Sequence, residues 1–199
     1  GPGRPMRRAG AIPRAGAKCL LCPTEISMSV PSQSPAQSSP APQGEPASAA
    51  DATTILARAD TRVEAPPGGA KPYAGAVTPA EAWQLSGQPG VHFVDVRSAE
   101  EYRYVGHVPG SRLIVWRGTD DHQVAQFMAE LRAHVPPQDA VLLLCRSSVR
   151  SVRAATAAAR EGYARAYNIL EGFEGKLDDQ QQRGKIDGWR KAGLPWKQE

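Results

Sequence analysis

The chain has 199 residues, of which 41% are hydrophobic, and a formal net charge of +4. Its basic residues are scattered and are not interleaved with aromatic side chains, so the charge pattern disfavours nucleic-acid binding. No apolar run reaches the roughly 18 residues that a membrane-spanning helix needs, which excludes a membrane span of that kind.

The three cysteines lack regular spacing, which argues against a disulfide framework and for a reducing compartment. We therefore expect a cytoplasmic protein, although an Arg- and Ser-containing, acid-poor beginning also suits an organelle transit peptide. Cys19 and Cys22 form a lone C-x-x-C pair without a second pair of zinc ligands. No metal and no cofactor are expected.

Residues 1–72 are rich in Pro, Ala, Ser, Gly and Gln and show neither helical nor strand periodicity. Ordering a residue costs about 1–2 kcal/mol, which such a composition cannot offset by burying apolar surface. We therefore predict a disordered tail and linker over residues 1–72 and one folded domain over residues 73–197.

The folded part is predicted to begin with a short helix. Thr78 can cap its N-terminus, Pro79 suits the first helical position, and Glu81 lies where a capping box requires it. The run VHFVDV at residues 91–96 is β-branched and aromatic and follows GQPG, which predicts a buried strand.

A second capping box follows that strand. Ser98 is the expected cap and Glu101 its partner, which predicts a short helix through Tyr104 that Gly106 helps to end. The next apolar run, RLIVW at residues 112–116, predicts another strand.

A longer amphipathic helix is predicted next, capped by Asp120 or Asp121 and stopped by Pro136. Its apolar residues recur with the spacing of one buried face at Val124, Phe127, Met128 and Leu131.

Three further elements complete the predicted fold. AVLLL at residues 140–144 is apolar on both faces, as in the central strand of a parallel sheet. Residues 151–160 are strong helix formers, and AYNIL at residues 166–170 predicts one more strand. This alternation predicts a single α/β domain with a mainly parallel central sheet flanked by helices on both faces.

The segment LLLCRSSVRSV carries the strongest candidate for chemistry. It places Cys145 at the carboxyl end of a strand, where such sheets bind ligands, with a helix directly behind the loop. The first turn of that helix favours an anion and contributes roughly 0.3–1 kcal/mol. We therefore expect the guanidinium groups of Arg146 and Arg150 to help hold a thiolate at Cys145.

The loop CRSSVRS resembles the active-site loop of rhodaneses, the thiosulfate sulfurtransferases, which commonly reads C-R-S-G-x-R-S in bacterial single-domain members. DVRSAEEYRYVGHVPGS at residues 95–111 is similar to the family's D-V-R…E-Y…G-H-I-P-G-A signature. NILEGFEG and DGWRKAGLPW are similar to the ends of such bacterial proteins, so the resemblance covers the presumed domain. Ser148 stands where many relatives have Gly, which strains the loop if a positive φ is needed there.

The resemblance implies a sulfurtransferase whose Cys145 takes a sulfane sulfur from a small anionic donor such as thiosulfate. A thiophilic acceptor, either cyanide or a thiol, including a protein thiol, would then remove the sulfur from the persulfide. The persulfide would be cradled by the backbone N–H groups of Arg146, Ser147, Ser148, Val149 and Arg150. The oligomeric state is left open.

Asp95, Arg97 and His107 are expected to support the site. Asp95 is expected to hold local backbone or an arginine in place. His107 is expected to make a loop-fixing hydrogen bond rather than to act as a general acid or base.

Two other function classes stay open. A cysteine-loop phosphatase or arsenate reductase needs the longer loop C-x5-R, but the corresponding position is Ser151, whereas Arg150 gives C-x4-R. A rhodanese-like binding or regulatory module that has lost activity usually lacks the cysteine, which is present here. The enzymatic interpretation also requires a thiol that solvent can reach.

Overall fold

The computed structural model describes residues 48–199, which fall within one compact unit. The α-helices are α1 (Ala49–Asp60), α2 (Pro79–Leu85), α3 (Asp121–His134) and α4 (Val149–Arg160). The strands are β1 (Gly75–Val77), β2 (Val91–Asp95), β3 (Arg112–Leu113), β4 (Ala140–Leu144) and β5 (Ala166–Ile169). A π-helical turn covers Glu101–Val105.

The strands form one sheet in the order β1-β5-β4-β2-β3, and all neighbouring strands run parallel. The predicted α/β fold with a parallel sheet is therefore confirmed. Strand β4 lies in the middle of the sheet, as its uninterrupted apolar sequence predicted. The carboxyl end of β4 consequently lies between those of β2 and β5.

The side chains of β4 alternate between two apolar clusters on opposite faces of the sheet. Leu142 and Leu144 pack with residues of α1 and α2, whereas Val141 and Leu143 pack with residues of α3 and α4. This period of two follows from the pleat of a strand. The prediction of helices on both faces is confirmed.

The predicted caps organise the helix starts. Thr78 and Glu81 form both hydrogen bonds of a capping box at α2, and of the two candidates at α3 it is Asp120 that caps the helix. Ser98 and Glu101 also make both capping hydrogen bonds, at the π-helical turn.

The prediction that residues 1–72 have no fold is wrong for residues 49–60, which form α1. Ser48 and Asp51 form a capping box, and Ile55, Leu56 and Ala59 are buried in the core. The apolar surface that these residues bury offsets the ordering cost on which the prediction rested. Residues 1–47, including Cys19 and Cys22, lie outside the described residues.

Three elements also differ from the sequence predictions. Strand β1 was not predicted, because three residues carry too little periodicity. Only Arg112 and Leu113 of RLIVW join the sheet ladder, although the N–H of Trp116 still bonds to the Val96 carbonyl at 3.1 Å. Helix α4 begins at Val149, two residues earlier than expected.

None of the helices described in residues 48–199 is long and apolar enough to cross a membrane.

Glu81 of α2 forms ion pairs at 2.7 Å with Arg58 of α1 and with Arg62, which follows that helix. Burial by itself would raise the pKa of Glu81, but hydrogen bonds from Arg62, the Thr78 N–H and Arg58 outweigh it and lower the pKa to about 2. Because the folded-state pKa lies below the unfolded-state value of about 4.3, ionised Glu81 stabilises the fold above that value. The stabilisation is lost as the pH falls towards 2.

We predict that Glu81→Gln abolishes most of this pH-dependent stability. Between pH 5 and pH 2 the unmodified protein should lose up to about 3 kcal/mol through this group, whereas the variant should show a flatter curve. Urea unfolding across this pH range measures the difference. The exposed Glu130→Gln serves as control, and an equally flat curve for the control would contradict the assignment.

Candidate active site around Cys145

Cys145 follows the last residue of β4 and precedes a three-residue loop, residues 146–148, that leads into α4. It is 1% exposed and belongs to the apolar cluster between the sheet and helices α3 and α4. The expectation of a solvent-reachable thiol is therefore wrong for this conformation. The early start of α4 brings the helix terminus within four residues of the thiol.

The carbonyl groups of the loop are held by the segment that follows β5. The Cys145 carbonyl accepts a hydrogen bond from the Phe173 N–H at 2.8 Å. The Arg146 carbonyl accepts from the N–H groups of Glu174 and Gly175 at 3.0 and 3.2 Å. Gly172 allows this contact, because a Cβ atom there would lie 2.6 Å from both carbonyl oxygens.

The N–H groups of residues 146–151 have no acceptor within the described residues. Six consecutive donors thus follow Cys145, three of them in the first turn of α4. Ser148 occupies the cap position but makes no side-chain cap. Unpaired N–H groups at a helix N-terminus favour an anionic ligand.

Ser148 has a φ of 74°, in the region that favours glycine. Its Oγ accepts a hydrogen bond from Asn168 Nδ2 at 2.8 Å and lies 3.1 Å from the Ile169 carbonyl oxygen. These contacts offset the backbone strain that the serine introduces. Ser147 is half-buried, and Val149 is exposed.

A buried polar network touches the sulfur atom. Ser151 Oγ lies 3.2 Å from Cys145 Sγ and 2.7 Å from Asn168 Oδ1. Ser151 and Asn168 are both buried. Sequence reasoning identified neither residue as part of the site, since a serine in a helix and an asparagine in a strand carry no distinctive local pattern.

Arg150 is paired with Glu101, a residue predicted only as a helix cap. Both guanidinium Nη atoms donate to the carboxylate, at 2.6 and 2.7 Å. The hydrogen bond to Glu101 raises the pKa of Arg150, and the nearby Cys145 contributes in the same direction. Burial would raise the pKa of Glu101, but Arg150 and the Ser98 N–H lower it below its usual range.

Arg146 is exposed and makes no ion pair in the described part of the chain. The two arginines predicted to act together are thus in different states, since one is free and the other is neutralised by Glu101.

Asp95 and Arg97 form a fully buried ion pair at the carboxyl end of β2, with a shortest N···O distance of 2.6 Å. Arg97 also donates to the Gly106 carbonyl at 2.7 Å, and its guanidinium lies 4.2 Å from the ring centre of Phe173. The pair therefore connects β2 to the turn before β3 and to the segment that holds the Cys145 loop.

His107 is buried and stacks on Tyr102 with ring centres 3.9 Å apart. Its Nδ1 lies 3.1 Å from the Tyr102 carbonyl, and its backbone pairs with that of Lys197. These contacts hold the loop around His107 in place. In residues 48–199 no group of three or more His, Cys, Asp or Glu side chains is arranged to hold a metal ion.

A family model described as the rhodanese-like domain matches residues 78–178. The chain belongs to the rhodanese-like family. The match contains the Cys145 loop, the Asp95–Arg97 pair and Glu101, but it begins after α1 and β1. Strand β1 nevertheless belongs to the same sheet, where it pairs with β5.

Three proteins illustrate the similarity. The crystal structure of Rv0390 from M. tuberculosis is 42% identical with a TM-score of 0.55, covering 64% of this chain and 99% of that one. An uncharacterized protein of Rickettsia prowazekii is 33% identical over 107 residues, which is 52% of this chain and 80% of the relative. Thiosulfate sulfurtransferase GlpE of Actinobacillus pleuropneumoniae is 24% identical, covering 60% of this chain and 89% of the relative.

We predict that Gly172→Ala displaces the Cys145 loop. The new Cβ would overlap two carbonyl oxygens in addition to the cost of a positive φ, so we expect a loss of at least about 3 kcal/mol in the free energy of unfolding. Gly162→Ala is the matched control, because Gly162 has a φ of 98° and open space around it. Gly162→Ala should lower the free energy of unfolding by about 1–2 kcal/mol. Equal losses for the two variants in urea unfolding would contradict the overlap expected at position 172.

We also predict that Ser148→Gly is more stable than Ser148→Ala by about 1 kcal/mol. Both variants lose the hydrogen bonds to Asn168 and Ile169, but only glycine relieves the positive φ. Chemical unfolding of the two variants side by side measures this difference. An alanine variant as stable as the glycine variant would show that the backbone at this position is unstrained.

Proposed function

We propose that this rhodanese-like protein is a sulfurtransferase that carries a sulfane sulfur on Cys145. The observation that carries the proposal is the row of six N–H donors without acceptors directly after the cysteine. Three of these N–H groups are the unpaired donors of the first turn of a helix, and the other three extend the row back to the cysteine, which together favours an anion at this position. A persulfide anion on Cys145 is the ligand that fits it best.

The transfer has two steps. The Cys145 thiolate attacks the outer sulfur of thiosulfate, the new S–S bond forms as the old one breaks, and the electron pair leaves with sulfite. An acceptor such as cyanide or a thiolate then attacks the outer sulfur of the persulfide. The electron pair of that S–S bond returns to Cys145 and restores the thiolate.

The surrounding residues supply binding and orientation. The exposed Arg146 attracts the anionic donor, and Ser151 donates to the sulfur of Cys145 at 3.2 Å. The buried Asp95–Arg97 pair keeps the adjoining segment in place. The similarity to thiosulfate sulfurtransferase GlpE supports the same chemistry. We expect a cytoplasmic protein whose acceptor is cyanide or a thiol, including a protein thiol.

A cysteine-loop phosphatase fits the site less well. Only three residues separate Cys145 from α4, and Arg150, which would have to bind the oxyanion, is held by Glu101. A tetrahedral phosphoryl group needs more room than a single sulfur atom.

A binding module without activity is the second candidate, and the burial of Cys145 favours it. Because Cys145 is 1% exposed, its thiol meets a donor only after neighbouring groups move. The two candidates therefore differ in one measurable property, which is whether sulfur reaches Cys145.

We predict that incubation with thiosulfate adds the mass of one sulfur atom to Cys145, and that cyanide removes it as thiocyanate. Intact-mass spectrometry and peptide mapping follow both steps. Cys145→Ser should gain no sulfur, whereas Cys19→Ser/Cys22→Ser should retain the adduct and so excludes the other two thiols as its site. A protein that forms no adduct with thiosulfate or with an organic persulfide is the binding module, and turnover of an aryl phosphate would indicate the phosphatase.

A further inference from the structure

The charges around Cys145 are largely compensated in pairs. Asp95 neutralises Arg97 inside the protein, and Glu101 neutralises Arg150 beside the thiol. Arg146 contributes the remaining positive charge of the loop. The site is therefore less attractive to a doubly charged anion than its three arginines indicate.

Two sets of hydrogen bonds hold the Glu101 carboxylate against Arg150. Its carboxylate accepts from the Ser98 N–H at 3.0 Å and receives both arms of the Arg150 guanidinium. The side chain of Glu101 is 21% exposed and that of Arg150 32%. Two-armed pairs of this kind are among the stronger hydrogen-bonded contacts, and partial burial limits their screening by salt.

A donor anion that uses Arg150 must displace this carboxylate, and it also meets the carboxylate's negative charge. The repulsion grows with the charge of the donor, because the Coulomb energy is proportional to it. Thiosulfate is a dianion. An organic persulfide, R–S–SH, can present an uncharged outer sulfur and does not need Arg150.

We propose that Glu101 is a specificity-determining residue that acts through Arg150, disfavouring thiosulfate and favouring organic persulfides as sulfur donors. This inference rests on the proposed sulfurtransferase function. The Cys145 thiolate attacks the outer sulfur of R–S–SH, the S–S bond of the donor breaks, and the electron pair leaves with RS⁻. The outer sulfur and its proton remain on Cys145 as a persulfide.

The first test compares kcat/KM for thiosulfate with kcat/KM for the persulfide of 2-mercaptoethanol. Glu101→Gln removes the negative charge, so the ratio of thiosulfate to persulfide should rise about tenfold at low ionic strength. Glu100→Gln is the matched control. The Glu100 carboxylate is exposed and lies near Arg103 and Arg117 rather than Arg150. An unchanged ratio in Glu101→Gln, or an equal rise in both variants, overturns the proposal.

The second test does not depend on sulfur transfer. Iodoacetate and iodoacetamide alkylate the same Cys145 thiolate, but only iodoacetate is charged, so the ratio of their rates reports the field at the thiol. The ratio should rise in Glu101→Gln and not in Glu100→Gln, and the rise should vanish when Arg150→Gln is added. A merely structural role of Glu101 would change both rates together and leave the ratio constant.

The two readouts separate the two proposals. A rise in the alkylation ratio without any persulfide on Cys145 supports the electrostatic role of Glu101 and defeats the sulfurtransferase function. Persulfide formation with a constant alkylation ratio does the reverse. If neither reagent modifies Cys145 in any variant, donors do not reach the thiol and both proposals fall.

Should Glu101→Gln not fold, Glu101→Asp replaces it in both tests. Aspartate keeps the charge but withdraws it by one methylene group from Arg150, so a smaller rise in the same direction is expected. The absence of any rise in Glu101→Asp overturns the proposal.

Discussion

The site depends on how the backbone of Cys145 and Arg146 is bonded. Both carbonyl groups point to the segment after β5, where the N–H groups of residues 173–175 hold them. This arrangement leaves the N–H groups of residues 146–151 unpaired beside the thiol. Gly172 makes it possible, because no side chain would fit between the two segments. The carbonyl groups of Cys145 and Arg146 are thus hydrogen-bonded within the fold, whereas the N–H groups of the loop can bind an anion.

The electrostatics of the site follow from its neighbours rather than from the loop itself. Glu101 comes from the turn after β2 and pairs with Arg150, while Asp95 and Arg97 form a second, fully buried pair at the end of β2. A buried pair is held in place because breaking it would leave an uncompensated charge. The carboxylate that neutralises Arg150 thus lies 49 residues before it in the sequence.

Much of the fold was predictable because its signals are local. Capping residues such as Thr78 and Asp120 specify helix starts through hydrogen bonds three residues away, and the apolar run of β4 identified the central strand. Helix α1 also has such signals, since Ser48 and Asp51 form a capping box and Ile55 precedes Leu56. These signals adjoin a Pro- and Ser-rich stretch, whose composition predicts disorder.

By itself the sequence determined the α/β class, the position of Cys145 at a strand end and the membership indicated by CRSSVRS, because these depend on periodicity, caps and a contiguous motif. Tertiary structure alone decided that Arg150 is neutralised by Glu101, that Ser151 contacts the sulfur and is itself bonded to Asn168, and that Cys145 is buried. The Arg150–Glu101 and Ser151–Asn168 contacts join residues that lie 49 and 17 positions apart in the chain. The physical reason is that a local sequence pattern does not specify which side chains come into contact when helices and strands pack together.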